Sequence, residues 1–175
     1  YLKTNNFIDF ELEQDTSYQN ADYLLARIDA GAAKSYQTFR NNENRISTAG
    51  LLKMSKLTTA ILSSIDYAFV KQKREENFYF IHSELGVYNQ LKCIPTNIQG
   101  PMVYPFFYNK TGLREFLISR KIFVAKYWDN LNKICDENNF EYLLATKLVA
   151  LPIDQRYGLK EMNVIVNLVK SFINC

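Results

Sequence analysis

The chain has 175 residues, 47% hydrophobic and 14% aromatic, which is enough apolar material for a substantial core in one domain, or one domain with appended elements. Its 21 basic and 18 acidic residues leave a net charge of only +3, and the lysines are scattered instead of forming a basic run, which argues against a nucleic-acid partner. The longest apolar stretches fall far short of the ~20 residues of a membrane span, and Tyr1-Leu2-Lys3 shows no leader pattern, so neither membrane insertion nor secretion is expected.

Phe7-Ile8-Asp9-Phe10-Glu11-Leu12-Glu13 places Ile8, Phe10 and Leu12 on one side of an extended chain and predicts a half-buried strand. One strand is unstable alone, so this one needs a partner downstream or from another chain. Over residues 20–40, Leu24, Leu25, Ile28, Ala32, Tyr36 and Phe39 recur at helical spacing and predict one amphipathic helix, weakened at Gly31. Asn41-Asn42-Glu43-Asn44 reads as a break, after which Ser47 is placed to cap a second helix bearing Leu51, Leu52, Leu57, Ile61, Leu62 and Ile65. Asp66 is placed to cap a third, which turns Phe69, Val70, Phe78, Ile81 and Leu85 inward until Gly86 stops it.

Beyond Pro95 and Gly100-Pro101 the pattern alternates between short β-rich runs and short helices. Residues 102–108 read as a strand that Pro105 pushes to a sheet edge. Thr111 is placed to cap a helix through Ser119, residues 122–128 read as a second strand, residues 139–147 as a helix and residues 149–153 as a third strand. In the last helix Met162, Ile165, Leu168, Val169 and Phe172 share a face. The expected organisation is therefore a strand and three-helix region over residues 1–94, followed by a small α/β domain over 95–175.

The search for chemistry is mostly negative. The sequence has no glycine-rich phosphate loop, GxSxG, HExxH or acidic cluster at metal-ligand spacing. Cys93, Cys135 and Cys175 lack CxxC spacing and are odd in number, so no disulfide framework or zinc site is expected and a reducing cytoplasm is. The single His82 sits beside Phe78 and Leu85 on a helix and reads as a surface or packing residue. One segment concentrates polar groups at the end of a buried strand: Asp154-Gln155-Arg156-Tyr157-Gly158. Arg156 offers a planar fork suited to carboxylate or phosphate, or else pairs with Asp154 to brace the strand–helix turn. The aromatic runs Tyr104, Phe106, Phe107, Tyr108 and Phe123, Tyr127, Trp128 read as core or interface packing more than as a base-stacking face.

The order of segments over residues 45–173 resembles the C-terminal part of a fold-type-I, pyridoxal-phosphate-dependent aminotransferase of the sugar aminotransferase (DegT/DnrJ/EryC1/StrS-like) group. Arg45-Ile46-Ser47, Leu57-Thr58, Ile61-Leu62, Ser64-Ile65-Asp66, Lys73-Arg74 and Glu76-Asn77-Phe78 resemble the helix pair that follows the cofactor lysine. Tyr104-Pro105-Phe106, then Leu117-Ile118-Ser119-Arg120-Lys121-Ile122 and Tyr127-Trp128, resemble the strand, helix and strand that follow. Leu151-Pro152-Ile153-Asp154-Gln155-Arg156-Tyr157 with Glu161-Met162 resembles the closing strand, loop and last helix.

The resemblance implies a parent homodimer in which pyridoxal 5'-phosphate on a lysine acts as electron sink while an amino group moves from an amino-acid donor to a nucleotide-linked keto sugar. It also implies that Arg156 and Tyr157 face the substrate, since fold-type-I aminotransferases present a carboxylate-binding arginine from a similar place. The chain departs from the family at the Schiff base: no lysine from Lys34 onward has Ser or Thr three positions before it. The cofactor half is thus expected to lie outside the chain or never to have been present, residues 1–94 being a remnant of, or connector to, the large domain. An isolated chain is expected to be inactive and not to bind the cofactor. The alternative is a non-catalytic protein-interaction domain, and weaker still an RNA-binding module.

Overall fold

The structure, a computed structural model, describes residues 12–95, 97–128 and 130–175, and divides the chain into two units, Tyr1–Ile65 and Asp66–Cys175. The helix Tyr67–Leu85, grouped by the sequence with the preceding helices, thus belongs to the second unit.

In the first unit Gly31 turns the single expected helix into two. Its backbone stands at φ 82°, ψ 167°, which a Cβ disfavours, and it separates α1 (Asp22–Ala30) from α2 (Ala32–Thr48). Helix α2 runs straight through Asn41-Asn42-Glu43-Asn44, which corrects the expected break. Tertiary hydrogen bonds override the weak helix propensity of asparagine here. Buried Asn42 donates to Asn20 O at 3.2 Å and Asp22 Oδ1 at 3.0 Å, and Arg45 donates to Gln19 O at 2.9 Å and Asn42 Oδ1 at 3.1 Å. Ser47 falls in the last turn of α2 and caps nothing. Ser55 caps α3 (Lys56–Ser63) instead, its Oγ accepting from Thr58 N–H at 3.0 Å. Of the strand expected over residues 7–13, residues 7–11 lie outside the described residues. Just beyond it, Lys53 N–H donates to Glu13 O at 2.8 Å and Asp15 N–H to Lys53 O at 2.9 Å, a single parallel bridge.

The buried apolar residues described all belong to the second unit, from Phe78 to Val169. Asp66 opens α4 (Tyr67–Leu85) by accepting from Phe69 N–H at 3.0 Å. Its buried face begins only at Asn77 and continues through Phe78, Ile81 and Leu85, so Phe69, expected inward, is exposed. Strand β1 (Val103–Phe107) pairs antiparallel with β2 (Leu148–Pro152), setting Tyr104 opposite Leu151 and Phe106 opposite Val149. These four side chains share one face by the period of two, and all are buried.

Pro105 lies where its missing N–H does no harm. Along the outer edge of β1, Asn89 donates to Pro105 O at 2.8 Å and accepts from Phe107 N–H at 3.0 Å, while Gln90 N–H donates to Phe107 O at 2.9 Å. The N–H and C=O of one residue point to the same side of an antiparallel strand, so the absent donor of Pro105 falls on this edge and not in the ladder with β2. Buried Asn89 also donates to Tyr104 Oη at 3.3 Å and accepts from Leu91 N–H at 3.0 Å, so both ends of its amide are used. Burial pushes the Tyr104 hydroxyl above the usual tyrosine range, and its oxygen lies 3.0 Å from His82 Nδ1, which gives the lone histidine a packing role.

Helix α5 (Leu113–Ser119) starts at Gly112, which is left-handed at φ 93°, and not at a Thr111 cap. The strand expected over 122–128 reduces to one antiparallel bridge, Ala125 to Ala150. Lys121 at φ 64° and Trp128 at φ 57° bracket this segment with backbone conformations that no strand tolerates. After α6 (Leu131–Ile134) and α7 (Phe140–Lys147), β2 leads through a polar loop into α8 (Leu159–Asn174), which buries Met162, Ile165, Val166 and Val169. Lys170 of α8 pairs with Glu84 of α4 at 2.7 Å. The second unit is thus mixed α/β, with a two-stranded sheet among helices. No helix among the described residues is long and apolar enough to cross a membrane.

Candidate functional site

Loop 153–158 leaves the end of β2, the place where ligands bind in many α/β layers. Three elements fix it. Asn77, fully buried on α4, donates its amide N–H groups towards Ile153 O at 3.2 Å, Asp154 O at 3.3 Å and Tyr157 O at 3.0 Å. Arg74, one turn earlier, donates from Nε to Gln155 Oε1 at 2.9 Å. At the other end Glu161 Oε2 accepts from Gly158 N–H at 2.9 Å and ties the loop to the first turn of α8.

On the outer side of this loop the sequence-predicted residues meet. Arg156 donates Nε to Asp154 Oδ1 at 2.7 Å and Nη2 to Asp154 Oδ2 at 3.0 Å, a fork-on-fork pair. Asp154 Oδ1 also accepts from Arg156 N–H at 3.1 Å, closing a tight turn. The Arg156 side chain remains 60% exposed, its guanidinium 5.4 Å from the centre of the Tyr157 ring. Of the two arrangements open to Arg156, the bracing pair is the one present, and the Nε/Nη2 edge of the fork stays engaged unless a ligand displaces Asp154.

The hydrogen bond from Arg156 holds the Asp154 carboxyl below the usual aspartate range, partial burial opposes it, and the charges of Arg156 and Arg74 add to the lowering. A depressed folded pKa contributes stability that is present above the unfolded value and lost as pH falls through the folded one. The stability gap between wild type and Asp154→Asn should therefore be present at about pH 6 and narrow towards about pH 2, as measured by urea unfolding at both. A gap that persists at the lower pH would show that the aspartate acts through shape and not charge.

Asn77 is the residue sequence reasoning missed. Its signal was a polar side chain on the apolar stripe of α4, one turn before Ile81. The aromatic runs divide: Tyr104, Phe106 and Phe107 are buried in the core, whereas Phe123 and Trp128 are exposed. No group of three His, Cys, Asp or Glu able to hold a metal occurs among the described residues. The loop does not fit pyridoxal phosphate either, since Asp154 is taken up by Arg156 and no lysine is among the residues that build the loop. No family model, curated protein or solved structure matches this chain.

Proposed function

We propose that this chain is the C-terminal portion of a pyridoxal-phosphate-dependent aminotransferase of the sugar aminotransferase group, acting on a nucleotide-linked keto sugar as a homodimer in the cytoplasm. The observation that carries the reading is loop 153–158: one of the segments that carry the resemblance stands at a strand end, anchored by Asn77, Arg74 and Glu161, and turns Arg156 and Tyr157 outward. The order of α4, β1, α5, β2 and α8 supports part of the order that the resemblance implies, although its strand over residues 122–128 is reduced to a single bridge. In this reading the Schiff-base lysine and its cofactor belong to residues outside the chain, and Arg156 receives an anionic group of the substrate by exchanging Asp154 for it.

The test uses the protein extended upstream of Tyr1. Borohydride reduction in the presence of pyridoxal phosphate, followed by peptide mapping, should place the pyridoxyl label outside residues 1–175, and a stoichiometric label on a lysine inside them would overturn the assignment. In the same protein Arg156→Lys should raise the Michaelis constant about tenfold, the worth of one charged hydrogen-bonding contact. An unchanged Michaelis constant with lowered thermal stability would leave Arg156 as a brace only.

A second reading, a non-catalytic protein-interaction domain, is favoured by the first unit. Leu25, Ile28 and Leu51 there are 65%, 81% and 85% exposed, and exposed apolar side chains can supply a contact surface. That reading predicts neither a label nor transamination in the extended protein.

A further inference from the structure

Away from loop 153–158, the fold gathers cations that the sequence scatters. Lys110 in the turn after β1, Arg114 in the first turn of α5, Lys126 beside the bridge to β2 and Lys147 at the α7–β2 junction line one cleft of about 200 Å³. Glu115 is the one carboxylate among the described lining residues. Like charges held together raise the local potential and concentrate counter-ions.

The described partners of Lys110 and Lys147 are neutral, and Arg114 is only loosely paired. Lys110 donates to Phe172 O at 3.2 Å and lies 4.9 Å from the centre of that ring, and Lys147 donates to Asn109 Oδ1, all neutral groups. Arg114 approaches Glu115 at 3.8 Å, beyond hydrogen-bond distance, and its buried Nε has no hydrogen-bond partner among the described residues. A buried donor without an acceptor is costly, and a bound oxyanion near the guanidinium relieves it after a small side-chain adjustment. The cleft is far larger than the about 10–15 Å³ that one water needs.

We propose that this cleft binds a small phosphate-bearing ligand, a phosphate monoester or a diphosphate. Arg114 supplies the planar fork that matches phosphate oxygens, and Lys147 and Lys110 add positive charge along the same cleft. No aromatic ring is among the lining residues, so nothing there stacks a base and the ligand is read through its phosphate. The site does not depend on the aminotransferase reading.

Calorimetric titration of the 175-residue chain with inorganic phosphate and with pyrophosphate, at ionic strength held constant with chloride, tests this. Saturable one-to-one binding is expected, tighter for pyrophosphate, with Arg114→Gln and Lys147→Gln each weakening it about tenfold. Lys160→Gln, on the exposed start of α8, should leave it unchanged. Circular dichroism checks the fold of each variant, and Arg114→Lys, which keeps the charge and loses the fork, replaces Arg114→Gln should that one not fold. Binding that does not saturate, or that Lys160→Gln weakens equally, would overturn the proposal. So would tighter, steeply salt-dependent binding of single-stranded RNA than of pyrophosphate, which would make the cleft part of a polyanion surface.

Discussion

Asn77→Asp should lower the unfolding free energy of the second unit by at least about 3 kcal/mol, more than a surface substitution on the same helix would. The Asn77 amide nitrogen is the donor towards three backbone carbonyls, those of Ile153, Asp154 and Tyr157, at a position with no solvent exposure. A carboxylate of the same shape sets acceptors against acceptors. In the interior it either stays charged and unpaired or takes up a proton, and each alternative costs free energy. The Oδ1 atom has no hydrogen-bond partner among the described residues, so no compensating donor stands ready there. Asn77→Leu keeps the volume and leaves the carbonyls unpaired, with an expected loss of about 2 kcal/mol. Urea unfolding measures both, and hydrogen exchange over residues 153–158 should rise in each variant. A loss under about 1 kcal/mol for the aspartate variant would mean that water replaces the amide and that the loop is not anchored from α4.

This coupling also explains what the sequence could and could not disclose. Elements whose signals are local were legible: Asp66 caps α4, residues 140–147 form α7 with Asn139 just before it, and the stripe of Met162, Ile165 and Val169 marks α8. The Asp154–Arg156 pair spans two residues and was open to reading as one of two alternatives. Long-range contacts were not legible. Asn77 and Tyr157 are 80 residues apart, and the cations of the cleft come from three separate segments that look dispersed until β1 and β2 pair.

The errors have physical causes of the same kind. Asparagines that break an isolated helix support α2, because Asn42 satisfies Asn20 and Asp22 across a turn. The hydrogen bond from Asn42, ahead of the turn and Arg45 contributions, holds the Asp22 carboxyl below its usual range. The β-rich composition of residues 122–128 could not reveal the left-handed backbone at Lys121 and Trp128, a conformation that composition alone does not forecast for Lys or Trp. The aromatics of that segment therefore do not form the second strand of an aromatic face.

Phe106→Ala and Phe123→Ala decide how much the two aromatic runs differ. Phe106 is completely buried in β1, opposite Val149, within the cluster formed by Phe78, Leu117, Leu151 and Met162, so its truncation should cost about 3–5 kcal/mol through lost burial and the cavity left behind. Phe123 is 74% exposed, and its truncation should change stability by less than about 0.5 kcal/mol. Urea unfolding of the two variants gives both numbers. Equal, large losses would mean that Phe123 is covered in solution, by a second copy of the chain or by residues beyond it, and the concentration dependence of the unfolding midpoint separates these, since only a dimer loses stability on dilution. Equal, small losses would mean that the sheet is not the centre of the second unit, and with it would fall the anchoring of loop 153–158 on which the functional reading stands.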